Sequence, residues 1–352
     1  MIRVHAVSLV ALAFAAACGG SPAPAPAGSP ATPTAGSDLT VAPVVVPDGP
    51  GRVADGSLAS AALGVTKRYK VWLPAGYDTL PARRYPVVYM LHGLGGDETN
   101  WVESGRLDAA ADALRLQAIV VMPDGDDSFY ANAATAVDRD ACLGRRPPFS
   151  RDQQAEDYCV ATATYDDYIT KDLIAHVDAT YRTIALRRGR GIGGLSMGGF
   201  GALQLAMRHP ELYAASASHS GVDALLYAGP HPYVAGQVVL HDQAALRSRV
   251  GGPIADLVRT IFGTDAANWR GHDPASLAGG LKDGDLALYL DAGSEDELLL
   301  HDGAQYLHDL LLERGVHHEW YLGPGGHTFA FWAQRIDDSL AFFTRELAPA
   351  SP

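Results

Sequence analysis

The chain has 352 residues, 47% hydrophobic and 19% charged, an ordinary globular composition that allows a sizeable core. Its 27 basic and 40 acidic residues leave a formal charge of −13. That balance argues against general nucleic-acid binding, which needs clustered Lys and Arg.

The N-terminus reads as an export signal over residues 1–18. Arg3 gives a positive start, and Val4 to Ala17 is almost wholly apolar. Such a run suits a signal peptide and is too short to span a bilayer. Ala15-Ala16-Ala17-Cys18-Gly19 resembles the lipobox of bacterial lipoproteins, in which Cys18 would carry the lipid. Ala15 stands where Leu is usual, so ordinary signal cleavage stays open. Residues 19–55 are rich in Pro, Ala, Gly, Ser and Thr. They bury too little apolar surface to offset their chain entropy, and we expect a tether there. The folded domain is expected over 56–350, in the cell envelope or secreted, with membrane contact only through the N-terminal lipid. With Cys18 lipidated, Cys142 and Cys159 remain as a pair in one polar segment, where an oxidising compartment lets them bond.

Beyond the tether, short apolar runs predict buried strands at Arg68–Leu73, Val87–Leu91, Ile119–Met122, Ile192–Leu195, Ala214–Ser218, Leu286–Leu290 and Glu319–Leu322. Helical spacing predicts helices at Leu107–Leu116, Tyr168–Tyr181, Phe200–Met207, Tyr306–Glu313 and Phe331–Leu347. The alternation predicts an α/β fold with a mostly parallel sheet and helices on both faces. Leu225–Leu281 breaks the alternation. It either covers the carboxyl ends of the strands or packs on the sheet.

Gly194-Leu195-Ser196-Met197-Gly198 is a G-x-S-x-G motif. Alone it is weak. Here an apolar strand precedes it and helix-forming residues follow it, as a nucleophile elbow requires. A serine hydroxyl needs a base and an orienting acid, which in such folds follow it in the order acid, then His. Of thirteen histidines, His327 lies in a Gly-rich loop after the last strand, where catalytic loops gather. Asp291, Glu295, Asp296 and Glu297 compete for the acid. Asp291 is still on its strand, so Asp296, past the glycine turn, is taken first and Asp291 second. For an oxyanion, the Met197 amide is one expected donor. The loop His92-Gly93-Leu94-Gly95-Gly96 is expected to supply the other, from Leu94 or alternatively Gly95.

With these parts in place, the chain resembles the esterase-D type esterase family, a branch of the α/β-hydrolases that includes S-formylglutathione hydrolases, feruloyl and acetyl esterases and mycolyltransferases. The likeness covers about Thr66 to Leu347. It rests on HGLGGDETNW from His92, YDDYITKDLIAHVDATYRT from Tyr165, GGLSMGGFGAL from Gly193, FGTDAANWRGHDP from Phe262, DAGSEDEL from Asp291 and GGHTFAFW from Gly325. It implies Ser196, Asp296 and His327 as the triad, Leu94 and Met197 as oxyanion donors, and no metal or organic cofactor. It implies hydrolysis of a small-molecule or polysaccharide-linked ester, with acyl transfer as the alternative. A surface-tethered binding protein without activity is the competing expectation from another class. The segment from about Ala131 to Val160 departs from the compact members, so substrate preference does not carry over.

Overall fold

The computed structural model describes residues 46–144, 153–240 and 252–351. The signal segment 1–18 with Cys18, and the tether as far as residue 45, lie outside the described residues.

Eight strands form one sheet: β1 (Arg52–Ser60), β2 (Val65–Leu73), β3 (Val87–Leu91), β4 (Ile119–Pro123), β5 (Arg190–Leu195), β6 (Ala215–His219), β7 (Ala287–Gly293) and β8 (Glu319–Gly323). Their spatial order is β1-β2-β4-β3-β5-β6-β7-β8. Pairing is parallel from β4 through β3 to β8, while β1–β2 and β2–β4 are antiparallel. The expected mostly parallel α/β sheet is what forms.

Strand periodicity explains the two-sided core. In β3, Val87, Tyr89 and Leu91 join one hydrophobic cluster, and Val88 and Met90 join the other. In β4, Ile119 and Val121 face the first, Val120 and Met122 the second. Each strand is apolar on both faces because helices cover both, which is why these runs read as continuous. The helix Met197–Arg208 packs Phe200, Leu203 and Leu205 into the first cluster. The helices Leu107–Ala113 and Phe329–Glu346 fill the second with Leu107, Ala111, Trp332, Ile336 and Phe343.

Three departures from the sequence reading have plain causes. Strand β1 begins at Arg52, so Arg52 to Asp55 belong to the sheet and not to the expected tether. It is an edge strand with one partner, and its mixed polar sequence RVADGSLAS carries little apolar signal. Strand β5 starts at Arg190 despite three glycines. A side chain at Gly191 would meet Phe343 at 2.7 Å, so packing by the C-terminal helix demands the small residue. The stretch Leu225–Leu281 holds the helices Gly252–Phe262, Ala266–Arg270 and Pro274–Ala278. Phe262 packs against Phe129 and Phe200 at ring-centroid distances of 6.3 and 5.8 Å, tying this excursion to the helix after Ser196. No helix of the described residues is long and apolar enough to cross a membrane.

Cys142 and Cys159 form the expected disulfide, with Cα atoms 5.7 Å apart. It closes the segment between the short helices Arg139–Leu143 and Ala155–Tyr158. With a sequence separation of 17, loop closure predicts about 3 kcal/mol of stabilisation. Because both short helices lie outside the sheet, loss of the bridge should loosen them and leave the core folded. Reduction, or Cys142→Ser, is expected to speed amide exchange in both short helices by about a hundredfold, with strands β3 to β7 unchanged. Equal acceleration in the strands would show the bridge holding up the whole domain.

Candidate active site

Ser196 stands between β5 and the helix Met197–Arg208 with φ 54° and ψ −119°. A non-glycine residue there stores backbone strain, so its surroundings must hold it. Its amide donates to the His219 carbonyl of β6 at 2.9 Å. A side chain at Gly194 would meet the Gly198 carbonyl oxygen at 2.3 Å, and one at Gly198 would meet the Leu91 carbonyl oxygen at 2.4 Å. Both motif glycines are therefore required by backbone approach, one within the turn and one against the end of β3.

His327 follows β8, and Asp296 follows β7. The two loops are stitched together by Ser294 N–H donating to Gly323 O at 2.8 Å and Glu295 N–H donating to Gly325 O at 2.8 Å. Gly293 permits this, because a side chain there would meet Gly325 O at 2.2 Å. The outcome is one hydrogen-bonded line. Ser196 Oγ lies 2.8 Å from His327 Nε2, and His327 Nδ1 donates to Asp296 Oδ2 at 2.7 Å. Asp296 is buried, and its other oxygen accepts the Leu298 amide at 2.8 Å. Trp332 stands edge-on to the imidazole, with ring centroids 5.0 Å apart, and its Nε1 donates to Ser220 Oγ at 3.1 Å.

The four competing carboxylates have separate places. Asp291, the second choice, is fully buried on β7 and accepts from His219 Nδ1 at 2.7 Å and from Tyr289 OH at 3.0 Å. His219 Nε2 in turn pairs with Ser339 Oγ at 2.9 Å. This is a second Ser–His–Asp line, wholly inside the core, and it secures the strand whose carbonyl holds the Ser196 amide. Glu295 is exposed. Glu297 accepts the backbone N–H of His327 at 3.1 Å, and the bond to its own backbone N–H, then this one, holds its carboxyl below the usual range. Sequence reasoning gave Glu297 no positioning role, and a backbone contact leaves no residue pattern to read.

The loop after β3 lies against the elbow. A side chain at Gly93 would meet Leu195 Cδ1 at 2.6 Å and Ser196 Cβ at 3.3 Å. Trp101 Nε1 donates to Leu91 O at 3.0 Å, Tyr130 OH donates to His92 O at 2.9 Å, and Gly125 N–H donates to His92 Nε2 at 2.9 Å. The Gly95 amide donates to Asp127 Oδ1 at 2.7 Å, which uses up that alternative donor. Leu94 remains. Met197 opens its helix, so its amide has no carbonyl one turn back within that helix.

Asp127 also accepts from Tyr158 OH at 3.1 Å, which links the disulfide-closed segment to the Gly93–Gly95 loop. Beside it is a cavity of about 370 Å³ with a mainly apolar wall that includes Ala131, Val137, Cys142, Val160, Leu257 and Ile261. The described part of the Leu225–Leu281 stretch joins the first hydrophobic cluster through Phe262 and Trp269 and helps wall this cavity with Leu257 and Ile261. Below it, buried Lys67 donates to Asp124 Oδ2 at 2.8 Å and Asp126 Oδ1 at 2.7 Å. Burial alone would raise both carboxyls. Lys67 and His92 outweigh it and hold Asp124 far down, while burial and the Asp124 charge push Asp126 up. No sequence pattern pointed to this group.

Asp223 sits behind the elbow. Its Oδ1 accepts from Ser218 Oγ at 2.6 Å, and its buried Oδ2 has no hydrogen-bond partner among the described residues. Burial pushes its carboxyl up to about 7. The unfolded group titrates near 4, so the folded state binds the extra proton between about pH 4 and 7. Its contribution to stability is full below pH 4 and is lost as pH rises through about 7. Asp223→Asn is therefore expected to gain on wild type by a few kcal/mol, on that order, between pH 5 and 8 in urea titrations. A constant difference across that range would show that Asp223 ionises freely in the fold.

Residues 60–343 match the model of the Esterase family ("Putative esterase"). The chain is 28% identical over 305 residues to Esterase Rv1288 of Mycobacterium tuberculosis; the match takes in 83% of this chain and 59% of that protein. Among solved structures, it superposes on the fluorophosphonate-binding serine hydrolase FphF of Staphylococcus aureus with a TM-score of 0.63 and 21% identity, over 84% of this chain and 99% of that one. An S-formylglutathione hydrolase from Agrobacterium tumefaciens gives 0.61 and 20%, over 85% and 96%. At these identities the structures speak for the shared α/β-hydrolase fold. The family match spans most of the sheet together with Ser196, Asp296 and His327, and the chain belongs to the Esterase family.

Proposed function

We propose that the chain is a serine hydrolase that cleaves carboxylic esters through an acyl-serine intermediate. One observation carries this reading: His327 bonds Ser196 Oγ and the buried Asp296 at once, at 2.8 and 2.7 Å. With Nδ1 committed to Asp296, the Nε2 lone pair of His327 faces the serine hydroxyl and takes its proton as Oγ attacks the ester carbonyl. The oxyanion that forms is assigned to the Leu94 and Met197 amides, in the same loop and elbow that lie in contact. The tetrahedral intermediate collapses when His327 returns the proton to the leaving alcohol. Water then repeats the sequence and frees the acid. Asp296 keeps the imidazole in the needed tautomer and stabilises its charged form.

The substrate is proposed as a small-molecule or polysaccharide-linked ester. None of Ser196, Asp296 and His327 lines the mainly apolar cavity beside Asp127 and Tyr158, but the Asp127–Gly95 bond joins it to the β3 loop, which supports a moderately sized, non-polar acyl or aryl portion reaching that way. Ser196→Ala, His327→Ala and Asp296→Asn are each expected to lower kcat on p-nitrophenyl acetate by about 10³-fold or more, and the losses should not add, since the three act as a unit. A fluorophosphonate probe should label wild type and not Ser196→Ala. Folded wild type that neither takes the probe nor releases p-nitrophenol would sink the proposal and favour the inactive binding protein. Release of product only when a sugar acceptor is supplied would favour acyl transfer.

We further propose export, with Cys18 as the lipid-bearing residue. The Cys142–Cys159 bridge supports an oxidising compartment. Wild type expressed with its signal segment is expected to partition into detergent with the membrane fraction, and Cys18→Ala into the aqueous phase. Equal partitioning of the two would remove lipidation as the anchor.

A further inference from the structure

His301 and Asp302 are consecutive residues near the start of the helix Leu300–Glu313, and both are buried. His231, from the loop after β6, reaches them with its side chain 45% exposed. His231 Nδ1 lies 3.0 Å from Asp302 Oδ2, and His301 Nε2 lies 3.7 Å from Asp302 Oδ1. One ligand atom from each of the three residues falls within 4.8 Å of the others. We infer that His231, His301 and Asp302 form a binding site for a single zinc ion, apart from the Ser196–His327–Asp296 line.

The geometry is close to what zinc takes. Bonds of about 2.0–2.1 Å in a tetrahedron put neighbouring ligand atoms about 3.3–3.5 Å apart. The two measured separations, each to a different oxygen of Asp302, lie on either side of that value, and one atom from each residue falls within 4.8 Å of the others, so a modest shift brings the set to it. The ligand best placed to shift is His231, whose side chain is half exposed while its ring already stands edge-on to His301 at 5.5 Å. His301 and Asp302 are fixed by their helix. Zinc would replace the proton now shared between His231 Nδ1 and Asp302, and that proton would leave to solvent. The open side at His231 offers an entry path and room for a water as fourth ligand.

His301 provides an independent pointer. It is 6% exposed, its Nδ1 has no hydrogen-bond partner among the described residues, and its Nε2 is beyond hydrogen-bond distance of Asp302. A buried imidazole left so costs about 1–3 kcal/mol, which a coordinate bond would offset. Asp302 is already oriented, since its Oδ1 accepts the Tyr233 amide at 3.0 Å. Outer contacts of that kind hold metal-binding carboxylates in position. Two imidazoles and one carboxylate suit zinc better than calcium or magnesium, which prefer oxygen alone. The site is also close to the proposed catalytic acid. Leu299 N–H donates to Asp296 O at 3.0 Å, and Asp302 N–H donates to Leu299 O at 3.3 Å. A bound ion would thus fasten the segment after Asp296 to the loop that carries His231.

Equilibrium dialysis of the metal-free full chain against Zn²⁺, with Co²⁺ as a spectroscopic probe, tests the site. Wild type should take up one equivalent, and Co²⁺ should give the intense visible bands of a four-coordinate ion. His231→Ala, an exposed change that spares the fold, should weaken binding by about tenfold or more. His308→Ala should bind like wild type; it interrupts the other close imidazole pair, His308 Nδ1 to His318 Nε2 at 2.7 Å. Wild type that binds no more tightly than His231→Ala would overturn the inference. So would loss of binding in His308→Ala alone, or a Co²⁺ spectrum of the six-coordinate aquo ion.

Discussion

The strained turn at Ser196 is the constraint on which the site depends. A serine at φ 54° is held there only because every neighbour yields to it. Gly194 and Gly198 allow backbone to approach where a β-carbon would collide, and His219 O captures the serine amide. The strain has a chemical use. It lifts Oγ out of the strand at a helix start, beside the β3 loop and within reach of an imidazole from β8. A relaxed strand-to-helix connection would bury the hydroxyl among its own backbone.

The support for that turn extends into the core. His219 is locked by Asp291 and Ser339, and β6 therefore presents its terminal carbonyl at a fixed height. Across the sheet, Gly293 lets the β7 and β8 loops zip together, which sets the Asp296–His327 distance. On the other flank, Asp127 ties the Gly95 amide to Tyr158, so the disulfide-closed segment and the β3 loop are mechanically joined. Of these polar contacts, the His219 pair is fully buried, where losing one partner leaves a costly orphan.

Sequence reasoning read the repeating and local features well. Val87–Leu91 was recognisable because a strand covered on both faces is apolar throughout. The elbow was recognisable because its two glycines flank the serine in a five-residue pattern between an apolar strand and a helix-forming run, although the contact that demands Gly198 comes from the distant Leu91 carbonyl. Strand β1 was not, since an edge strand with one partner and one wet face carries no continuous apolar run. The π-helical stretch Tyr168–Leu173, inside what reads as one helix, was likewise hidden, because the extra residue per turn does not disturb the apolar spacing enough to show.

The sequence by itself determined the fold class and the cysteine pair, and it singled out Ser196, Asp296 and His327 as the proposed nucleophile, acid and base, because each is marked by residue types at short spacing. Only the tertiary structure gave Asp291 and Asp296, ranked second and first in the sequence, their separate partners. Asp291 lies within β7 and Asp296 just past its end: one points into the core at His219, the other past Gly293 toward His327. It also decided that Gly95 is occupied and that Glu297 holds the His327 backbone. It brought His231, 71 residues away in sequence, to Asp302. These outcomes rest on contacts between distant segments, and the packing of the whole sheet sets them.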